Sequence, residues 1–176
     1  FRVEKKPMKE GDVVLSVKNV TVPSKVHKNN AVKNVSFDVR AGEIVCLAGI
    51  DGNGQTEFVS ALTGLEKMSE GSVLLCGKDI TKASIRDRSK AGMSHIPEDR
   101  HKHGLVLEYT LEENLVLQRY WEPKFQKNGF IKFDAVRKYA EGLIERFDIR
   151  SGQGPVSVVR SMSGGNQQKA IIAREI

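Results

Sequence analysis

This sequence is poor in the residues that hold metals, disulfides or nucleic-acid bases. Two cysteines and four histidines are spread over 176 residues, and no histidine has a carboxylate or cysteine at ligand spacing, which argues against a metal centre. Cys46 lies inside an apolar run and Cys76 ends another. Both are expected to be small core residues in a reducing compartment, not a disulfide pair. Aromatics make up only 6% of the chain, and none interleaves with a basic patch. The excess of basic over acidic residues, +6, is scattered as on a solvated surface, so nucleic acid is not an expected partner. Long hydrophobic runs are also missing, and the longest, such as Ile44 to Ile50, is strand-sized. The opening "FRVEKKPMKEGD" is polar throughout and unlike a signal peptide. The expected location is therefore the cytoplasm.

What is present is a succession of short strands followed by helices. Residues 1–11 read as a charged linker. "DVVLSVKNV" and "AVKNVSFDVR", separated by the turn-rich "PSKVHKNN", predict an antiparallel pair in which Val35, Phe37 and Val39 alternate with polar residues. "EIVCLAG" is wholly apolar, as in a strand covered on both faces, and a strand is expected over Ile44 to Ala48. "QTEFVSALTG" carries Phe58, Val59, Ala61 and Leu62 at helical spacing and stops at Gly64. "GSVLLCG" and the short "MSHI" predict further strands. Beyond Pro97 the pattern turns helical. Thr110 and Glu113 form a capping box ahead of "LEENLVLQRYW". Asp134 is expected to cap "AVRKYAEGLIERF", whose Val136, Ala140, Leu143, Ile144 and Phe147 form one apolar stripe. A last helix is expected to start near Ser163, and "AIIAREI" ends without a capping signal. The order predicts an α/β nucleotide-binding core with a helical lobe.

Two stretches carry chemistry. Gly49, Asp51, Gly52, Asn53, Gly54, Gln55, Thr56 and Glu57 lie between an apolar strand and an amphipathic helix with the spacing of a P-loop. In such a loop backbone N–H groups and a helix start surround phosphate, and a Ser/Thr hydroxyl holds magnesium, here that of Thr56. The position that ordinarily holds lysine is Gln55. Charge-assisted hydrogen bonds contribute about 1.5–3 kcal/mol against ~0.5–1.5 for neutral ones, so this swap weakens phosphate binding by about 1–2 kcal/mol, roughly five- to thirtyfold. Hydrolysis at this loop suffers more, because developing charge in phosphoryl transfer meets no ammonium. The second stretch is "SMSGGNQQKAIIARE", where Ser163, Gly164, Gly165, Asn166 and Gln167 open a helix and form a second anion site.

Together the loop, the helical lobe and "SGGNQQK" resemble the nucleotide-binding domain of an ABC (ATP-binding cassette) transporter. "HIPEDRHKHGLVLEYTLEENLVL" resembles the branch that imports simple sugars and purine nucleosides, with Glu98 at the position of the Q-loop glutamine. "GIDGNGQTE" after "VEKKP" resembles the second, C-terminal nucleotide-binding domain of that branch's polypeptides. The resemblance implies a P-loop NTPase fold of the ABC type, with an antiparallel β subdomain and an α-helical subdomain. Its core sheet would be incomplete, because the Walker B strand, the D-loop and the switch histidine lie beyond the signature helix. The implied organisation is a linker over 1–11, the β subdomain and P-loop core over 12–96, and the Q-loop region and helical subdomain over 97–176.

The implied cofactors are ATP and Mg. The implied partners are the first nucleotide-binding domain of the same polypeptide, transmembrane permease subunits and, indirectly, an extracellular solute-binding protein. Such a domain sits peripherally on the inner face of the cell membrane. The family usually stacks adenine on an aromatic well before the P-loop, where this chain offers Ser24 or Val26. Its signature would complete the partner domain's ATP site while its own degenerate loop turns over little, and no catalytic residue is expected in this stretch, which alone is expected to be inactive. The alternatives are a regulatory or non-transport ABC-type module, without a membrane partner, and a GTPase-like enzyme, disfavoured by the lack of a guanine-reading motif.

Overall fold

A computed structural model describes residues 11–25, 29–50 and 52–176 of the chain. Residues 1–10 of the expected linker, Val26 at the expected adenine position and Asp51 of the loop lie outside the described residues. The chain divides into two compact units, Phe1–Met93 and Ser94–Ile176.

The first unit is built on a four-stranded antiparallel sheet in the order β2-β1-β3-β4, from β1 (Val13–Pro23), β2 (Asn30–Arg40), β3 (Glu70–Leu75) and β4 (Lys78–Asp79). The antiparallel pairing of β1 and β2 is as the alternation predicts, with Val17 opposite Phe37, Val20 opposite Val35 and Val22 opposite Val32. That register shifts at bulges where Asn19 and Asn34 adopt φ of 53° and 49°. Asparagine tolerates this left-handed conformation better than most side chains, and each bulge is tied across the pair. The Asn19 N–H donates to Ser36 Oγ at 2.8 Å and the Asn34 N–H to Thr21 Oγ1 at 3.2 Å. Helix α1 (Gln55–Thr63) ends at Gly64 in the left-handed region, as expected. Its Phe58 and Ala61 are buried with Val17, Val20, Val22, Val32, Val73 and Ile80, while Val59 is exposed. Helix α2 (Ile85–Lys90), capped by the Ser84 hydroxyl, completes the unit.

Two expectations fail here. Residues 43–50 form no strand, and Ile44 and Ile50 are 96% and 77% exposed. A strand of this kind exists only through neighbours that pair its backbone and cover its faces. Among the described residues none pairs with it, and β2 forms the edge of the sheet. Cys46 and Cys76 are exposed rather than core residues. Cys46 shares the fate of its unpaired segment, and Cys76, at φ 49°, opens the turn between β3 and β4.

The second unit packs α3 (Leu111–Val116), α4 (Phe133–Arg146) and α5 (Gly164–Glu175) around Leu111, Leu115, Ala140, Ile149, Val159 and Ile171. The "MSHI" segment forms no strand; within the second unit the Ser94 hydroxyl donates to the Glu175 carbonyl and the His95 N–H to Glu175 Oε2. The capping box at Thr110 and Glu113 is formed, but α3 stops at Val116, short of the full "LEENLVLQRYW" run. Asp134 lies inside the first turn of α4 and makes no capping bond, because the helix starts at Phe133. Its carboxylate complements the helix dipole instead. The apolar stripe of α4 behaves as predicted, with Val136 and Ala140 buried and Leu143, Ile144 and Phe147 packed against the core. A small hairpin, β5 (Gln126–Lys127) with β6 (Phe130–Ile131), precedes α4.

Candidate functional site

The glycine loop enters α1 without a side-chain cap. Gly54 is the N-cap residue at φ 93°, and the first helical bond runs from the Phe58 N–H to the Gly54 carbonyl at 2.9 Å. The N–H groups of Gln55, Thr56 and Glu57 therefore have no acceptor within the helix, and they point at a helix start with positive dipole character. Gly54 has no alternative. A Cβ there would stand 2.3 Å from the Ala31 carbonyl oxygen, so the loop is pressed against the start of β2. Gly52 also has a left-handed φ, 83°, but with open space around it. The Asn53 N–H donates to the Ile50 carbonyl and closes the turn.

Gln55 reaches back across this loop. Its Nε2 lies 1.9 Å from where a Cβ on Gly49 would be, so the amide rests directly against the first glycine. Thr56 is exposed and Glu57 is half-buried in the first turn. A cavity of about 340 Å³ opens beside the loop, lined among others by Ala31, Leu47, Gly49, Gly54 and Gln55. Lys33 lines it as well. Nothing in the local sequence signals that, because β2 brings Lys33 to the loop only through the sheet. A loop of glycines in which one Cβ would meet backbone, ahead of an uncapped helix, fits the phosphates of a nucleotide. Thr56 is the one residue of it with a hydroxyl for magnesium. No group of three or more acidic, histidine or cysteine side chains that could hold a metal occurs among the described residues.

The second stretch is likewise an uncapped helix start. Ser163 is the N-cap of α5 and makes no capping bond; its Oγ accepts from Asn166 Nδ2 at 3.0 Å instead. That contact leaves the hydroxyl proton free to point outward. Ser163 and Gly165 are exposed and Gly164 is half-buried. Asn166 is held in turn, since its Oδ1 accepts from the Arg150 N–H at 2.9 Å. Gln167 faces inward and is 4% exposed. Its Nε2 donates to the Val159 carbonyl at 3.0 Å, and its Oε1 pairs with His101 Nε2 at 2.9 Å. Gln167 thus fixes the first turn of α5 to the loop before it.

Glu98 is exposed at the head of a tight segment. Asp99 accepts from the N–H groups of His101 and Lys102 at 2.9 and 3.0 Å and caps one wide helical turn, Arg100–Gly104. Those two bonds, from Lys102 first, hold its carboxyl below the ordinary value. Gly104 lets this turn approach α5, since a Cβ there would stand 2.7 Å from Ile171 Cδ1. The segment therefore lies along α5 at Gln167 and Ile171. The sequence carries no sign of this contact.

A family model described as ABC transporter matches residues 32–176. The nucleoside import ATP-binding protein NupA of Lactococcus lactis subsp. cremoris (strain MG1363) is 49% identical over all of this chain and 34% of its own length. The guanosine import ATP-binding protein NupO of Bacillus subtilis (strain 168) is 42% identical over the same shares. The chain thus spans about a third of the length of the curated relatives it matches. Among solved structures, a nucleotide-free ATP-binding cassette from an ABC transporter superposes with a TM-score of 0.70 at 19% identity, covering 93% of this chain and 64% of that one. A dimeric post-hydrolysis cassette bound to ADP and Pi superposes with a TM-score of 0.68 at 24% identity, over 92% and 68%. At these identities the structures speak for the fold alone.

Proposed function

Since this chain belongs to the ABC transporter ATP-binding family, we propose that it is part of the ATP-binding component of an importer for nucleosides or simple sugars. In this reading it is the second nucleotide-binding domain of a longer polypeptide. The names of the relatives NupA and NupO favour nucleosides. The observation that carries the proposal is that α1 and α5 both begin with N–H groups that no side chain caps, one behind a glycine loop and one behind Ser-Gly-Gly.

The two stations have different tasks. At the first, the N–H groups of Gln55, Thr56 and Glu57 and the turn at Gly52 to Gly54 would bind the phosphates of ATP, and the Thr56 hydroxyl would help hold Mg. Gln55 adds a neutral hydrogen bond in place of a charge, so this loop retains nucleotide and stabilises a transition state poorly. At the second, Ser163, Gly164 and Gly165 meet the phosphates of ATP held by the first nucleotide-binding domain of the same polypeptide. When bound, ATP would supply the energy of closure, and this chain's part would be to orient phosphate at both stations while excluding bulk solvent. Glu98, exposed at the head of its segment, touches the permease subunits on the inner face of the membrane. A solute-binding protein acts on their far side.

The test is calorimetric titration of the full-length polypeptide with Mg-ATP, unsubstituted and as Gln55→Lys. Two sites of unequal affinity are expected, and Gln55→Lys should tighten the weaker by about five- to thirtyfold. Identical binding by both proteins would remove the unequal-site reading. Co-purification with a hydrophobic permease separates the importer from a regulatory module of the same family, which would have no membrane partner.

A further inference from the structure

Arg100 lies beside the start of α5 without a pairing partner among the described residues. A Cβ on Gly164 would stand 3.0 Å from Arg100 Nη2, 3.4 Å from Cζ and 3.8 Å from Nε, so the guanidinium rests against the first residue of the helix. Arg100 Nε is buried and has no hydrogen-bond partner; among the described residues it is the one buried side-chain nitrogen or oxygen left without one. The acid next to it in sequence is engaged elsewhere, since Asp99 caps the N–H groups of His101 and Lys102. No ion pair to Arg100 occurs among the described residues.

This placement is unfavourable on two counts. A cation at a helix N-terminus faces the positive end of the dipole, and an unpaired buried donor forfeits its hydration. Both are relieved by one thing, an anion at the same helix start. From its present position the guanidinium can turn outward to such an anion without breaking any hydrogen bond, because it makes none among the described residues.

We infer that Arg100 is a phosphate-binding residue of the site formed by Ser163, Gly164 and Gly165, supplying the full positive charge that a Ser-Gly-Gly helix start lacks. The inference rests on the reading of that stretch as an ATP-contacting signature. Guanidinium suits this task, since its planar donors match two phosphate oxygens at once. Gly164 gives the guanidinium room there, since a Cβ at that position would meet Nη2 at 3.0 Å and push it aside.

The experiment uses the full-length polypeptide with its membrane subunits and Mg-ATP as probe. Steady-state turnover is measured for Arg100→Gln, Arg100→Lys and Ser163→Ala at several salt concentrations. Loss of the charge should raise KM for ATP by about tenfold and flatten its dependence on salt, with Arg100→Lys within about threefold of the unsubstituted protein. Unchanged KM in Arg100→Gln, with turnover lowered by Ser163→Ala, overturns the inference and leaves the signature reading intact. No effect of Ser163→Ala overturns the signature reading itself. Equal impairment of the Gln and Lys proteins at unaltered salt dependence means that Arg100 only positions α5, which also overturns the inference. If Arg100→Gln does not fold, Arg100→Lys decides, since a tenfold rise in KM with the charge retained is incompatible with the proposal.

Discussion

Arg88 Nη1 donates to the Leu62 carbonyl at 2.7 Å, and so joins α2 to the last turn of the helix that follows the glycine loop. The same guanidinium donates to the Thr81 and Ala83 carbonyls at 2.9 and 3.1 Å. At 3% exposure it has carbonyls alone as partners, and burial lowers its pKa from the ordinary value. A cation at a helix C-terminus is favourable. Arg88→Ala should therefore destabilise the protein by about 2 kcal/mol, because three half-buried carbonyls lose their donor. Urea unfolding checks it, and Arg88→Lys should recover only part, since one ammonium cannot span all three acceptors.

Gly54 and Gly52 share a left-handed backbone but not their surroundings. Gly52→Ala meets open space, and only the torsional cost remains, about 1 kcal/mol. Gly54→Ala drives a Cβ into the Ala31 carbonyl. The loop must then move, and stability should fall by about 2 kcal/mol or more. Nucleotide affinity of the loop should be lost with it, while Gly52→Ala retains most of it. Thermal unfolding and fluorescent-nucleotide titration of the pair distinguish the two.

Asp148 closes α4 in a Schellman arrangement. Its φ is 47°, its N–H donates to the Glu145 carbonyl, and the Ile149 N–H donates to the Ile144 carbonyl at 3.0 Å. Glycine is the usual occupant of this position. Asp148 gains instead the Lys169 ammonium, 2.9 Å from Oδ2, which holds its carboxyl below the ordinary range with help from Arg150. Asp148→Ala should lower the thermal midpoint by about 2–4 °C, since alanine tolerates this left-handed backbone less well than aspartate and brings no ion pair. Asp148→Gly should leave it nearly unchanged, since relief of strain offsets the lost ion pair. Equal loss in both would mean that Lys169, not the backbone, sets the effect.

His95 predicts an acid-side loss of stability. Burial lowers its pKa from 6.5, opposed by Glu175 and reinforced by His103. Its folded value lies below the unfolded one, so its contribution is fully present above pH 6.5. As pH falls below 6.5 the unfolded chain takes up the proton first, and the contribution is gone once pH has passed the folded value. An NMR titration of the imidazole should give a midpoint under 6.5. The drop in thermal midpoint between pH 7.5 and 5.5 should be smaller in His95→Gln, which cannot take up this proton.

Elements whose stabilising contacts are local were legible in advance. Thr110 and Glu113 are three residues apart and cap each other whatever surrounds them, and Gly64 ends α1 because the residue itself favours a left-handed backbone. Alternation over Val35, Phe37 and Val39 marks the more covered face of β2, and the turn-rich stretch before it makes the pairing with β1 legible too. Ile44 to Ala48 was misread because an apolar run states only that a segment is to be covered, not that a partner strand is at hand. The failure over Cys46 has the same origin. For the candidate stations, the sequence shows which glycines and hydroxyls are present but not where the side chains turn. The inward fold of Gln167 and the placement of Lys33 at the loop depend on neighbours distant in sequence.

The chain by itself determines two glycine-led helix starts and the neutral Gln55 at the first of them, because motif spacing and residue chemistry are properties of adjacent residues. Only the tertiary structure decides that Gln55 lies back on Gly49 and that Arg100 rests on Gly164 without a partner. Those facts arise when packing brings separate segments within a few ångströms, and electrostatic and hydrogen-bonding consequences exist only at that range.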